Sequence, residues 1–431
     1  MEKTRTRYHF SVEIFASLLL LSYPTLMFAV KGGMNGAFLF MLLLAIFVWV
    51  VRPSSLPPVV WQHAWTPYVV AMFSLSIAIF ISQSAHQNYT GHPYDAASRY
   101  FLAIPVFLLL QRLRLKFFTV LQIAFPVAAI AGFWLAKDYA SVGERWRLSA
   151  MDAIHFGNFE MLLGVLSLLS IDWLGRDKIP LKTLKLLGFV AGLAASFASG
   201  SRGGWLAIPL FVVIFIYFKT TKISPRMIVA ALFLVISLSI PLYFFNAQFG
   251  QRVDVSVAEI TALYRHENSF SSLSNRSRLF KAALEIFLRH PIVGVGPEGF
   301  ALEMQPLVDK GELTPLDAAY GRGEVHNDIL SKAAGMGIFG LIAMLAIYFV
   351  PLRLFWRATK STVSHVRHSG ILGITFVSGF FVFGLTLEVL NLTMAAAFYS
   401  FTVAVLLAAC YNIHHGEWSV QRKLEQGQRH V

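Results

Sequence analysis

The sequence predicts an all-α polytopic membrane protein with about twelve transmembrane helices and one long external loop, and three observations carry that reading. Apolar residues make up 56% of the 431-residue chain, charged residues only 14%, and the mean hydropathy is +0.61, far from the composition of a soluble domain. Apolar runs near the roughly 20 residues that cross a bilayer recur along the chain. Lys and Arg gather in alternate connections between those runs, the pattern of membrane topology. A net charge of +13 therefore does not indicate nucleic acid, because no single basic domain with interleaved aromatics holds it.

The runs fall at about 10–30, 34–51, 66–83, 97–111, 117–136, 156–174, 184–200, 203–218, 226–246, 327–350, 369–388 and 391–413. Lys3, Arg5 and Arg7 precede the first, as in a signal peptide, but no small-x-small cleavage site follows before Lys31. It is expected to be a retained anchor. Basic clusters mark the inside face: Arg112, Arg114 and Lys116; Arg176, Lys178, Lys182 and Lys185; Lys219, Lys222 and Arg226; Arg353, Arg357, Lys360 and Arg367. With the two ends of the chain and Arg52, that face holds most of the 36 Lys and Arg. Both termini are thus expected to be cytoplasmic and segment 247–326 outside, which in a bacterial inner membrane means periplasmic. The expected organisation is nine spans in 1–246, a periplasmic subdomain at 247–326, and three spans with a cytoplasmic tail in 327–431.

Cys410 is the one cysteine, so the chain forms no intrachain disulfide and no cysteine-rich metal site. The outer connections 84–98 and 137–155 are polar and aromatic, suited to solvent or to covering a cavity. Asn88-Tyr89-Thr90 fits the N-glycosylation pattern, which is frequent by chance and carries no function here.

Chemistry is concentrated in a few places. Arg202 sits in Ser199-Gly200-Ser201-Arg202-Gly203-Gly204 between two apolar runs. A guanidinium beside glycine N–H groups suits a phosphate, while a snorkelling interfacial arginine is the competing explanation. Arg99 opens the fourth span on the outer face, where a local ion pair with Asp95 competes with ligand binding. In the long loop, Ser274 or Asn275 is expected to cap an amphipathic helix over about 277–289, placing Arg276 and Arg278 at its first turn. Cations there oppose the helix dipole, a conflict that an anion would relieve. His290-Pro291 is expected to stop this helix, and Gly294-Val295-Gly296-Pro297-Glu298-Gly299 to form a compact turn without the Lys-Ser/Thr of a nucleotide loop. His326 precedes Asn327 and Asp328 at the outer start of the tenth span, and imidazole is the side chain best suited to proton transfer near neutral pH. Most histidines in such a position are merely interfacial. Glu324, His326 and Asp328 are a weak candidate for a metal cluster.

The blocks SNRSRLFKAALEIFLRHPIVGVGPEGF and EVHNDILSKAAGMGIFGLI, together with Ser201-Arg202-Gly203, resemble the O-antigen ligase and polymerase superfamily. The resemblance implies an integral-membrane glycosyltransferase of the GT-C kind. It implies inverting transfer of a glycan from undecaprenyl pyrophosphate, at the periplasmic face, to a lipid A-core acceptor, with no metal or nucleotide cofactor. By the same resemblance His326 is the catalytic base, and Arg202, Arg276, Arg278 and, less securely, Arg99 bind pyrophosphate. The related activities are O-antigen polymerase and protein O-oligosaccharyltransferase. An Arg-x10-Gly pattern common in the polymerases is missing from the outer segments, which leans toward the ligase. A lipid-linked glycan flippase would also need many spans, but not a His-Asn pair opening a helix beside a long loop, and it should carry inverted repeats.

Overall fold

The computed structural model describes residues 2–52, 56–59, 61–139, 145–219, 247–265, 272–321 and 323–412, and among them it is helical with no strand. Among the described residues, eight helices are long and apolar enough to cross a membrane. They include α1 (Glu2–Ala29), α2 (Gly33–Val51), α3 (Thr66–His86), α5 (Leu121–Tyr139) and α7 (Ile179–Ser199). Later in the chain come α14 (Asp328–Thr359), α15 (Ser364–Gly384) and α16 (Thr393–Cys410). Three further expected spans fall on shorter helices: α4 (Tyr94–Leu110), α6 (Ala153–Leu169) and a broken pair, α8 (Arg202–Trp205) with α9 (Ile208–Lys219). The run at 226–246 and the tail beyond 412 lie outside the described residues.

Helix α16 is the hub, with 89% of its span buried. Its Phe398 and Tyr399 pack against Phe376 and Phe380 of α15, partly stacked and partly edge-on, and Phe159 of α6 joins them at 5.6 Å from Phe380. Aromatic pairs at such distances add to plain burial, which fixes α6 against α15 and α16. Helices α6 and α7 touch backbone to backbone: a Cβ on Gly192 would lie 2.4 Å from the Glu160 carbonyl oxygen. Small residues permit such approach where the surrounding medium offers no hydrophobic drive to associate. At one end of these helices the ammonium of Lys185, fully buried, donates to Gln122 (2.6 Å), the Ser170 carbonyl (2.6 Å) and Asp177 (2.7 Å). One of the basic residues expected to mark the inside face is therefore an internal clasp.

The opposite end carries the long connections. Helices α10 (Ala247–Tyr264), α11 (Ser272–Arg289), α12 (Gly299–Asp309) and α13 (Pro315–Gly321) follow α9. Residues of α11, α12 and the 313–325 segment form a second apolar core around Leu279, Ala283, Ile286, Phe300, Leu307 and Val325, which also takes in Ala334 of α14. Helix α11 begins at Ser272, earlier than expected, so Arg276 and Arg278 lie inside it and not at its first turn. Ser274 and Asn275 are buried within the helix, and Asn275 Oδ1 accepts a bond from Arg278 instead of capping. The expected conflict of these arginines with the helix dipole is thereby removed.

His290-Pro291 ends α11 as expected, and the glycine-rich turn after it docks on α14. Val295 N–H donates to the Ala334 carbonyl (3.1 Å), and Ile338 N–H to the Pro291 carbonyl (2.8 Å). Contact this close requires glycine: Gly337 of α14 is at φ +62°, and a Cβ there would sit 2.3 Å from the Ile292 carbonyl oxygen. The break at Gly337 exposes the helix backbone to the turn, and so sets α11 against α14. The 84–98 connection closes over the other side of the turn. Ser82 Oγ donates to the Val293 carbonyl (2.7 Å), His86 Nε2 bonds the Gly294 carbonyl (3.0 Å), and His92 Nδ1 meets Glu298 at 2.7 Å.

Candidate active site

His326 is held in an unusual backbone conformation at the start of α14. Its φ is +61°, in the left-handed region where a residue with a Cβ pays about 1 to 2 kcal/mol. The next residue, Asn327, is the helix cap: its Oδ1 accepts from Ile329 and Leu330 N–H at 3.0 Å, and its Nδ2 donates to the Leu385 carbonyl (3.1 Å). The preceding Val325 N–H donates to Glu388 Oε1 at 2.5 Å, and Ser331 Oγ donates to Glu388 Oε2 at 2.8 Å. Glu388 is nearly fully buried, in the connection between α15 and α16, and burial pushes its carboxyl above the usual range against these bonds. Capping on one side and Glu388 on the other hold the strained residue in place.

The imidazole packs edge-on to Tyr320 at 5.5 Å. Both ring nitrogens are buried, and neither makes a well-formed hydrogen bond to a described residue. Glu324 Oε2 stands 3.7 Å from Nδ1, too far for one. Burial and then the nearby Arg276 charge hold the imidazole down to about 4, and a weak interaction with the Tyr320 backbone works the other way. The ring is therefore neutral at pH 7, with a nitrogen lone pair free.

Arg276 and Arg278, two residues apart on α11, have separate surroundings. Arg278 Nε donates to Asp317 Oδ2 (2.8 Å) and its Nη2 to Asn275 (2.9 Å). Asp317 is fully buried, and although burial alone would raise its carboxyl, Arg278 and Thr314 hold it below the usual range. Arg278 thus ties α11 to α13. Arg276 Nε is buried and has no hydrogen-bond partner among the described residues, and its charge reaches His326.

Arg202 follows Gly200, whose φ of +63° ends α7. Its Nη1 donates to Ser256 (2.8 Å) and to Glu259 (3.2 Å) on α10, and its Nη2 to Ser272 (3.2 Å) at the start of α11. The Arg202 turn also touches the His326 region from below. A Cβ on Gly203 would lie 2.7 Å from Thr386 Oγ1, next to the Leu385 carbonyl that Asn327 binds. The structure thus brings Arg202, Arg276 and His326 to one end of the molecule. Arg99 lies at the same end but apart, donating to Asn35 (3.1 Å) and Ser98 (3.0 Å), with no ion pair to Asp95 among the described contacts. Asp328 turns away from His326 to accept from Tyr348 Oη (2.8 Å) and Leu390 N–H (3.1 Å). Among the described residues no group of three or more His, Cys, Asp or Glu side chains is placed to hold a metal, the Glu324, His326 and Asp328 set included.

Residues 187–345 match the family model described as O-Antigen ligase. This stretch resembles the O-antigen ligase family over somewhat more than a third of the chain. It contains Arg202, Arg276, Arg278 and His326, and leaves Arg99 and Glu388 outside. An uncharacterized protein of Haemophilus influenzae is 24% identical over 313 residues, 72% of this chain and 76% of that protein. An O-antigen ligase of Escherichia coli is 24% identical over 276 residues, covering 63% of this chain and 64% of that ligase. Glu388 was missed in the sequence because a lone acidic residue at the end of an apolar run carries no motif. Its role shows only in the fold, where it reaches back over 60 residues to Val325.

Proposed function

We propose that this protein is a metal-independent, inverting O-antigen ligase of GT-C type, with twelve spans, both termini cytoplasmic and its site at the periplasmic face of the inner membrane. The donor is a glycan on undecaprenyl pyrophosphate and the acceptor is lipid A-core. His326 takes the proton from the acceptor hydroxyl as that oxygen attacks the anomeric carbon. The bond from the anomeric carbon to the phosphate oxygen breaks, and undecaprenyl pyrophosphate leaves as an anion that Arg276 and Arg202 stabilise. Arg278 positions α11 through Asp317, and Arg99 stands at the rim, available to the pyrophosphate or the lipid.

The observation that carries this reading is the pairing of a neutral imidazole, its nitrogens unengaged, with an arginine whose Nε is likewise unengaged. Base and anion receptor are the two functions that glycosyl transfer from a diphosphate requires. The family match and the E. coli relative support the ligase/polymerase superfamily, within which the ligase is the reading adopted. The test is transfer by the purified full chain from an undecaprenyl-pyrophosphate glycan to lipid A-core, to a second donor glycan, and to a pilin-type protein. Transfer to lipid A-core with inversion supports the ligase. Chain elongation alone or protein modification alone would replace it.

A further inference from the structure

A second histidine lies at the junction where the Arg202 turn meets α6 and α15. His155 is on the first turn of α6 and is 7% exposed. Its Nδ1 is paired with Asp152, the helix cap, whose Oδ1 also accepts from Ile154 N–H (2.8 Å) and His155 N–H (3.2 Å). Burial opposes ionisation of Asp152, but the His155 contacts outweigh it and hold the carboxyl down to about 2. The other ring nitrogen, Nε2, is buried and has no partner among the described residues.

The surroundings of His155 show where Nε2 is placed. Three residues on, Asn158 is fully buried; its Oδ1 accepts from Ser201 Oγ (2.8 Å), while its Nδ2 is also unpartnered among the described residues. Ser201 Oγ further contacts the Ile154 carbonyl (3.2 Å), so the Arg202 turn runs along this side of α6. Four residues on, Phe159 packs against both the His155 ring (6.1 Å) and Phe380 of α15. On a helix, residues three and four apart share a face. His155 therefore lies between the Arg202 turn and α15, whose outer end carries the Thr386 and Leu385 contacts to Gly203 and Asn327.

We propose that His155, held by Asp152, together with Asn158 and Arg202 forms a second anion-binding part of the site that takes the diphosphate of the lipid-linked donor. The inference rests on the ligase reading and adds residues from outside the stretch that matches the O-antigen ligase family. The unpartnered polar atoms at the junction are Asn158 Nδ2 and His155 Nε2, and the turn that carries Arg202 runs beside them. The N-terminus of α6 adds its own favourable field for an anion.

The experiment measures binding of inorganic pyrophosphate to the full chain in detergent, alongside donor and acceptor titrations of glycan transfer. His155→Ala should weaken pyrophosphate binding about tenfold or more, the worth of one charge-assisted hydrogen bond, and raise the donor KM with the acceptor KM unchanged. His155→Gln, which keeps an N–H near the Nε2 position, should recover part of that loss. Asp152→Asn, at a more exposed position, gives the same readout should the His155 variants fail to fold. Pyrophosphate binding and donor KM equal to wild type in His155→Ala and Asp152→Asn would overturn the proposal, as would a wild-type chain that binds no pyrophosphate. A wild type that binds pyrophosphate through His155 yet transfers no glycan would uphold the anion site and remove the ligase reading.

Discussion

Replacing Glu388 by Ala tests whether the strained backbone of His326 is part of the working site. The carboxylate accepts from Val325 N–H at 2.5 Å and from Ser331 Oγ at 2.8 Å, and both donors are left without it in the variant. Hydrogen bonds to charged groups are each worth about 1.5 to 3 kcal/mol, so the turn loses more than the 1 to 2 kcal/mol or so that holds His326 at φ +61°. Residue 326 is then free to leave the left-handed region. If relaxation favours the released conformer by about 1.4 to 2.7 kcal/mol, the competent fraction falls tenfold to a hundredfold. Glu388 touches neither Arg276 nor Arg202 among the described contacts, so the loss should appear in kcat and leave the donor KM near wild type. The assay is glycan transfer by purified protein across a donor titration, with thermal unfolding in detergent to show that the variant folds. A folded Glu388→Ala enzyme with wild-type kcat would refute the idea that this clamp positions His326.

Four further outcomes are expected. The transfer rate should have an acid limb near pH 4: a base must be unprotonated, the neutral form of His326 persists above its depressed pKa, and activity is lost as pH falls through it. Arg276→Gln removes one of the two causes of that depression, so the limb of its residual activity should move up toward the ordinary histidine value of 6.5, and a limb that stays put would contradict the Arg276–His326 coupling. Arg278→Ala strands the buried Asp317 carboxylate and should cost about 3 kcal/mol of stability, seen as a lower unfolding temperature that Asp317→Asn in the same chain restores. Gly337→Ala combines a positive φ with a 2.3 Å approach to the Ile292 oxygen and should destabilise the docked turn, whereas Gly36→Ala, in open space within a helix, should be neutral or mildly stabilising by thermal unfolding.

Much of this architecture is written in the local sequence. Apolar runs of membrane length give the helices, His290-Pro291 gives the end of α11, and the His326-Asn327 pair gives a capped helix start, because each is a short-range consequence of residue type. The start of α11 was misplaced because Ser274 and Asn275 are good caps in isolation, while the fold buries both and uses Asn275 to hold Arg278. Which of the two neighbouring arginines remains available depends on Asp317, some forty residues later, and no local pattern shows that pairing. The same holds for Glu388 and for the Asp152–His155 pair, whose meaning comes from the turn that packs beside them. The glycine-rich turn was legible as a turn, but its partner, the Gly337 break in α14, was not, since an isolated glycine in a helix has many possible causes.

The most direct test of the account is glycan transfer by His326→Ala in membranes supplied with lipid-linked donor and lipid A-core. The variant should express, insert and unfold at the wild-type temperature while its transfer rate falls by about 10² to 10⁴-fold, the range general-base catalysis contributes. A folded His326→Ala protein that transfers glycan at the wild-type rate would contradict the assignment of His326 as the base, and with it the mechanism proposed for this site.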